Sequence, residues 1–326
     1  KVGKIKDWDA QAYIKGERDY WFIGEDKITK ENLKIYLEKS KFSVASNGVL
    51  YQTDKVGCIP DILDTWFKQR VEFRKLKKKY GDSGDKEKYA FYKKRQLVQK
   101  ILLNSLYGVL GLPAFRFYDV DNATAVTTTG QTVIKKTADM ANIKYNKELG
   151  NPDLDSNIYI DTDSVFFSAV PLMDKRTPNW KDEDQDTIAG YVNDIAEEMQ
   201  DYLNDFYDIL SKKIFNVDVD KHRLEIKKEY VAKAGLWIAK KRYAQWIISD
   251  NGVPCDKLDV KGLDVKRSSF PKAFQECMGK VLIDILRGVS EEELTEYVLD
   301  FKKNMVNRPN SEIAKNTAVK NLKKYM

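Results

Sequence analysis

The sequence predicts an α+β fold, and three observations carry that expectation. Apolar residues recur at helical spacing in long stretches, as at Ile188, Val192, Ile195, Met199, Leu203 and Phe206, while short apolar runs such as 157–161 suit strands. These helices and strands do not alternate as regular βαβ units, which argues against a parallel sheet. The chain has 326 residues, 42% hydrophobic and 33% charged, enough for a sizeable core in two or three domains.

In chain order, residues 29–40 read as a short helix with Thr29 as its cap. FSVASNGVLYQT (42–53) reads as a hairpin whose Asn47-Gly48 suits a tight primed turn. Pro60-Asp61 opens a long helix carrying Ile62, Trp66, Phe67, Arg70 and Arg74. GDSGD (81–85) breaks it, and a second helix runs over about 86–107, so the two form an antiparallel αα-hairpin projecting from the body. NATAVTTTGQ (122–131) leads into a helix through Val133, Ile134, Ala138 and Ala141. NIYID and SVFFSAV are strands joined at Thr162-Asp163, and RLEIKKEYV (223–231) and LWIAKKRYAQWIIS (236–249) read as paired strands. SEEE (290–293) has the form of a capping box, so about the last 55 residues are expected to be helical.

The net charge of +6 is unevenly spread. Residues 66–100 carry 13 Lys or Arg against 4 Asp or Glu, and residues 174–208 carry 3 against 11. A basic segment separate from an acidic one suits a polyanion partner on one side, although two solvated helices of opposite charge would read the same. The three cysteines, Cys58, Cys255 and Cys277, are far apart with no CxxC, which argues against a disulfide framework or a zinc site. With His222 as the single histidine and no motif around it, Ser-His and Cys-His chemistry is discounted. No apolar run reaches the roughly 18 residues of a membrane span. The first residue is not Met, so the sequence is expected to start partway through a longer protein.

Three motifs carry the chemistry. In YIDTDSVFF (159–167), Asp161 and Asp163 stand between apolar and aromatic flanks, where uncompensated carboxylates are costly and repel each other. Something positive belongs there. Hard carboxylate oxygens suit Mg²⁺, which takes one or two of them beside substrate phosphates, and two such ions about 4 Å apart serve phosphoryl displacement. An exposed turn with two solvated carboxylates, a calcium loop or a nucleotide-sugar transferase remains open at this point.

In KKRQLVQKILLNSLYG (93–108), Lys100, Asn104 and Tyr107 share one helix face, while Leu97, Ile101 and Leu102 lie elsewhere and can hold the helix down. That face can bind a triphosphate and support a base pair, with Arg70 and Arg74 supplying further cations. In AKKRYAQWI (239–247), three cations and a tyrosine sit inside an apolar strand, suited to phosphate contacts or to protecting a sheet edge.

Together and in this order, these pieces resemble a family B DNA polymerase. KILLNSLYG is similar to the fingers motif KxxxNSxYG, YIDTDSVFF to the palm motif DTDS, and KKRY to the primer-contacting motif. NSLYGVLG, FRFYDVDNATAVTTTGQ and KGLDVKRSSFPKA are close to the polymerases of T4-like phages, and the likeness covers nearly the whole chain. The resemblance implies a right-hand architecture: palm over 1–57 and 113–263, an αα-hairpin fingers domain over 58–112, and a partial helical thumb over 264–326.

The resemblance also implies roles. Asp163 is the direct ligand of one of two Mg²⁺ ions and Asp161 tunes coordination, with Glu229 an accessory carboxylate. Arg70, Lys100 and Asn104 bind the incoming dNTP, with Arg74 a weaker contributor, and Tyr107 and Gly108 pack against the nascent pair. Thr162, Lys240, Lys241, Arg242 and Tyr243 hold the primer-template DNA. A sliding clamp is among the partners that such a polymerase brings, and the cytoplasm of an infected bacterial host is its place of work. The family's other aspartate motif, DxxSLYPS, has no counterpart here, and neither has the 3′–5′ exonuclease domain. The expectation is a chain cut at both ends, inactive alone, and completed by a separate N-terminal segment. A non-catalytic DNA-binding half of a two-chain assembly is the alternative, and a DxD sugar transferase the remote one.

Overall fold

The structure, a computed structural model, describes residues 1–315, 317, 320 and 323. Its elements in chain order are β1 (Gly3–Lys6), α1 (Ala10–Lys15), β2 (Tyr20–Ile23), β3 (Asp26–Thr29), α2 (Lys30–Ser40), β4 (Phe42–Val44), β5 (Val49–Gln52), α3 (Cys58–Asp82), α4 (Lys86–Val109) and α5 (Val120–Leu149). There follow β6 (Asn157–Asp161), β7 (Ser164–Phe167), α6 (Val170–Arg176), α7 (Gln185–Ile214), β8 (Tyr230–Ala239), β9 (Arg242–Asp250), β10 (Val253–Lys261), α8 (Lys272–Arg287), α9 (Glu291–Asn304) and α10 (Asn310–Ile313). All strand pairs are antiparallel, so the mixed α+β class holds. The chain forms two units, residues 1–139 with 204–225, and residues 140–203 with 226–326.

The first unit is built on a five-stranded sheet ordered β3-β2-β1-β5-β4. Ile5, Trp21, Val44 and Leu50 face a core that α2 closes with Leu33 and Leu37, all nearly or fully buried. Each such side chain contributes about 1.5–3 kcal/mol by leaving water. Thr29 caps α2 as expected, its hydroxyl accepting from the Asn32 amide. The β4–β5 hairpin forms, but its turn is not primed. Ala45 accepts from Gly48 N–H at 2.8 Å and Gly48 alone takes a positive φ, 83°, so a type I turn is closed by a left-handed glycine. A Cβ on Gly48 would lie 2.7 Å from the Ile5 carbonyl oxygen.

Helices α3 and α4 form the expected antiparallel hairpin, with Tyr80 stacked on Tyr92 at 5.5 Å. Asp85 caps α4 by accepting from Lys88 N–H. Neither helix contains a fully buried residue. A row of half-buried positions at three- or four-residue intervals runs along each: Leu63, Trp66, Arg70, Phe73, Lys77 and Tyr80 on α3, with Asp64, Val71 and Leu76 half-buried beside them, and Tyr89, Tyr92, Gln96, Gln99, Leu103 and Leu106 on α4. This is a coiled-coil-like seam with a polar middle. Leu97, Ile101 and Leu102 do not hold the helix down; they are 49%, 56% and 38% exposed, because the seam falls on Leu103 and Leu106 instead. The segment 122–131, expected to lead into a helix, is itself helical within α5.

In the second unit, Ala141, Tyr145, Leu172, Met173, Ile188, Ile195, Met199 and Leu203 form one core, which confirms the apolar stripe of α7. Arg176 on α6 bonds both Glu148 and Glu198 through its guanidinium, joining three helices at their surface. A three-stranded sheet ordered β10-β9-β8 carries a second core with Ala244, Val260, Leu263 and Leu286. The expected strand over 223–231 is strand only from Tyr230 onward. Ser290 caps α9 by accepting from Glu293 N–H, and helix persists to Ile313. The end of the expected helical tail lies partly outside the described residues.

Candidate active site

Strands β6 and β7 pair with Asp161 opposite Ser164, so Thr162 and Asp163 form the tip of a two-residue hairpin. Thr162 has φ 58°. A β-branched residue in the left-handed region is strained, and such strain survives where the surroundings overdetermine it. Here the surroundings are a second hairpin tip. Strands β8 and β9 are joined through Lys240 and Lys241, and Lys241 is also left-handed, at φ 59°. The Lys241 amide donates to the Tyr159 hydroxyl at 2.7 Å. Its ammonium donates to Thr162 Oγ1 and lies 3.1 Å from Asp161 Oδ1. The positive charge that the apolar flanks demanded is therefore present within the chain itself.

Rings lock the two hairpins together. Tyr243 lies 5.5 Å from Tyr159, 5.7 Å from Phe166 and 6.4 Å from Trp237, each pair in a favourable geometry. Tyr243 is 5% exposed. Burial first, and the Asp161 carboxylate second, push its hydroxyl up to about 12. On the far side, Gly262 has φ 65°, and a Cβ there would come 2.1 Å from the Lys241 carbonyl oxygen. Only glycine lets the end of β10 approach the tip this closely.

Of the aspartates, Asp161 is shielded, with a side chain 18% exposed, while Asp163 is exposed. Lys240 and Arg242 flank Lys241, exposed and without an ion pair among the described residues. Lys240 and Lys241 thus do not lie inside a strand, as their apolar neighbours suggested; they make the β8–β9 turn, and Arg242 and Tyr243 open β9. Glu229 is exposed at the opposite end of the β8–β9 pair, where its carbonyl accepts from Asn251 N–H. Some ten residues of β8, roughly 30 Å of strand, lie between it and the Lys241 tip.

On the α3–α4 hairpin, Lys100, Asn104 and Tyr107 are exposed on one face of α4, as their spacing predicts, and Gly108 is exposed beside them. Arg74 is exposed and Arg70 sits in the seam. Among the described residues none of Arg70, Arg74 and Lys100 has an acidic partner, leaving their charge for an external anion. The sequence reading missed Tyr159, Trp237, Gly262 and Gln99; the first three were signalled only by aromatic and glycine positions near the motifs.

A family model described as DNA polymerase family B matches residues 23–178 and 188–326. This chain belongs to DNA polymerase family B. It is 32% identical over 219 residues to the DNA-directed DNA polymerase of Enterobacteria phage T4, covering 64% of this chain and 24% of that protein. It is 32% identical over 202 residues to that of Escherichia phage RB69, covering 57% and 22%. Against the DNA polymerase of Thermococcus gorgonarius it is 27% identical over 277 residues, covering 85% and 29%. The chain therefore spans about a quarter of the length of these curated relatives.

Family B polymerases generally use divalent metal ions, and the donor set here can be tested against one. Among the described residues no group of three or more His, Cys, Asp or Glu is gathered to hold a metal. Two neighbouring carboxylates with hard oxygens nevertheless suit Mg²⁺, which completes its shell with water and substrate phosphates. The pair fits that ion and would not make a closed all-protein cage. No helix among the described residues is long and apolar enough to cross a membrane.

Proposed function

We propose that this chain supplies the larger part of a template-directed DNA polymerase site, adding dNTPs to a primer 3′-OH. The observation that supports the reading most is the paired hairpin tips, which hold Asp161 beside a row of cations, Lys240 to Arg242. In this reading residues 1–57 and 113–263 are palm, 58–112 fingers and 264–326 part of a thumb. The primer hydroxyl attacks the α-phosphate and pyrophosphate leaves.

Each residue has one task. Asp163, exposed and at the tip, would hold Mg²⁺ directly, and Asp161 tunes that coordination from its shielded place beside Lys241. Bound there, the metal would neutralise charge on the attacking and leaving oxygens. Lys240 and Arg242 hold the primer backbone as phosphate contacts that position without reading sequence. Tyr243, kept neutral by burial, and Thr162 fix the tip against which the primer end rests. Arg70, Lys100, Asn104 and, more weakly, Arg74 take the triphosphate, while Tyr107 and Gly108 present a flat surface to the nascent pair.

We assign the family's second metal-binding aspartate, which has no counterpart among these residues, to a further polymerase segment. The working location is the cytoplasm of an infected bacterial host, by similarity to the phage relatives.

Primer extension with Mg²⁺ tests the reading, using the chain alone and then mixed with a segment bearing the missing aspartate motif. Extension only in the mixture, abolished by Asp163→Asn, is the expected result. Extension by the chain alone would overturn the metal assignment. DNA binding without extension in either case would favour a non-catalytic DNA-holding half.

A further inference from the structure

Two buried polar atoms in the α3–α4 seam have no hydrogen-bond partner among the described residues: Nε of Arg70 and Oε1 of Gln99. They are complementary, since a guanidinium Nε–H only donates and an amide oxygen only accepts. They also lie at the same level of the hairpin. Gln99 Nε2 donates to Oε1 of Gln69, the residue beside Arg70, at 2.5 Å. That bond fixes the amide so that its oxygen is left for another donor. Above and below, the seam is closed by rings and apolar groups, with Phe73 near Tyr92 on one side and Trp66 and Leu103 on the other. Native proteins leave few such atoms unpaired, and each one calls for an explanation.

We propose that Gln99 is a positioning residue for Arg70. When a polyphosphate engages the two terminal nitrogens of the guanidinium, Gln99 Oε1 accepts the Nε–H and sets the plane of the fork. An arginine held at Nε keeps its outer nitrogens free for two parallel bonds to phosphate oxygens. Gln69 acts one step further back by orienting the Gln99 amide. The inference rests on the triphosphate role proposed for Arg70 and adds the residues that aim it.

Isothermal titration of inorganic tripolyphosphate into the full chain tests it, with the thermal midpoint followed in parallel. Gln99→Met keeps length and flexibility and removes the acceptor. Binding should weaken roughly tenfold, the effect of losing one hydrogen bond to a charged group, with the midpoint unchanged or raised. Gln69→Ala should weaken it less, about threefold by the same arithmetic. The deciding readout is the double variant: in an Arg70→Ala background, Gln99→Met should cost nothing more, because its effect passes through Arg70. Additive losses, or wild-type binding by Gln99→Met while Arg70→Ala fails to bind, would overturn the proposal and leave the role of Arg70 intact. If the wild-type chain does not take tripolyphosphate, or Arg70→Ala binds it equally well, the role of Arg70 falls and this proposal with it.

Discussion

Asp161 is held by Thr162 and Lys241 and shielded beside the buried Tyr243, whereas Lys100, Asn104 and Arg74 stand exposed on helices that contain no fully buried residue. The first region fixes its groups by strain, ring packing and close backbone approach. The second presents them on a two-helix arm whose seam is half-wet and polar in the middle. The difference follows the chemistry each would serve. A carboxylate that sets metal geometry tolerates little displacement. A cation meeting a flexible triphosphate gains from being able to adjust, and weakly packed segments are the ones that move.

Substitution tests this contrast most severely at Gly262. Gly262→Ala should destabilise the second unit on the order of 3 kcal/mol, since the Cβ meets backbone and the conformation is left-handed. Urea unfolding measures it, and a loss under about 0.5 kcal/mol would mean that the tip is not locked.

A pH series comes next. Tyr243 and Tyr51 are both pushed up to about 12, mainly by burial. A folded-state value above the unfolded one means stability that is intact below about pH 10 and lost as the pH climbs through 12. The thermal midpoint of the wild type should therefore fall more steeply over that window than that of Tyr243→Phe. Identical slopes would show that the Tyr243 hydroxyl is not shielded.

Lys241→Met should cost less, within about 1 kcal/mol, because its ammonium is 62% exposed and screened by solvent. The loss should shrink as salt is added; a salt-independent loss would shift the weight to the hydrogen bond from the Lys241 side chain to Thr162. The smallest effect on stability is expected on the arm. Lys100→Ala should change it by less than about 0.5 kcal/mol while weakening dNTP use more than DNA binding. Equal loss of both would erase the functional side of the contrast.

The same contrast explains what could be read in advance. The Thr162-Asp163 tip was legible because apolar strands flank it and a two-residue gap between them can only turn. The helix face of Lys100, Asn104 and Tyr107 was legible because helical spacing is local. The KKRY turn was not: it contains no Gly, Asn or Pro, and its left-handed lysine is stabilised by Tyr159 and Asp161, residues some 80 positions away. Apolar Leu97, Ile101 and Leu102 misled for the opposite reason. They are as apolar as the neighbouring Leu103 and Leu106, which take the seam, and the rest of the seam mixes aromatic and polar residues, so hydrophobicity alone does not show which face is buried.

The bond from the Lys241 amide to the Tyr159 hydroxyl has a wider meaning. It ties the loop proposed to grip the primer to the strand that carries the turn proposed to hold the metal, with Lys241 as their common pivot. On that reading the enzyme has one gauge for two alignments. If the primer is gripped at this loop as proposed, a badly seated primer end would be felt at Asp161 through the single side chain of Lys241.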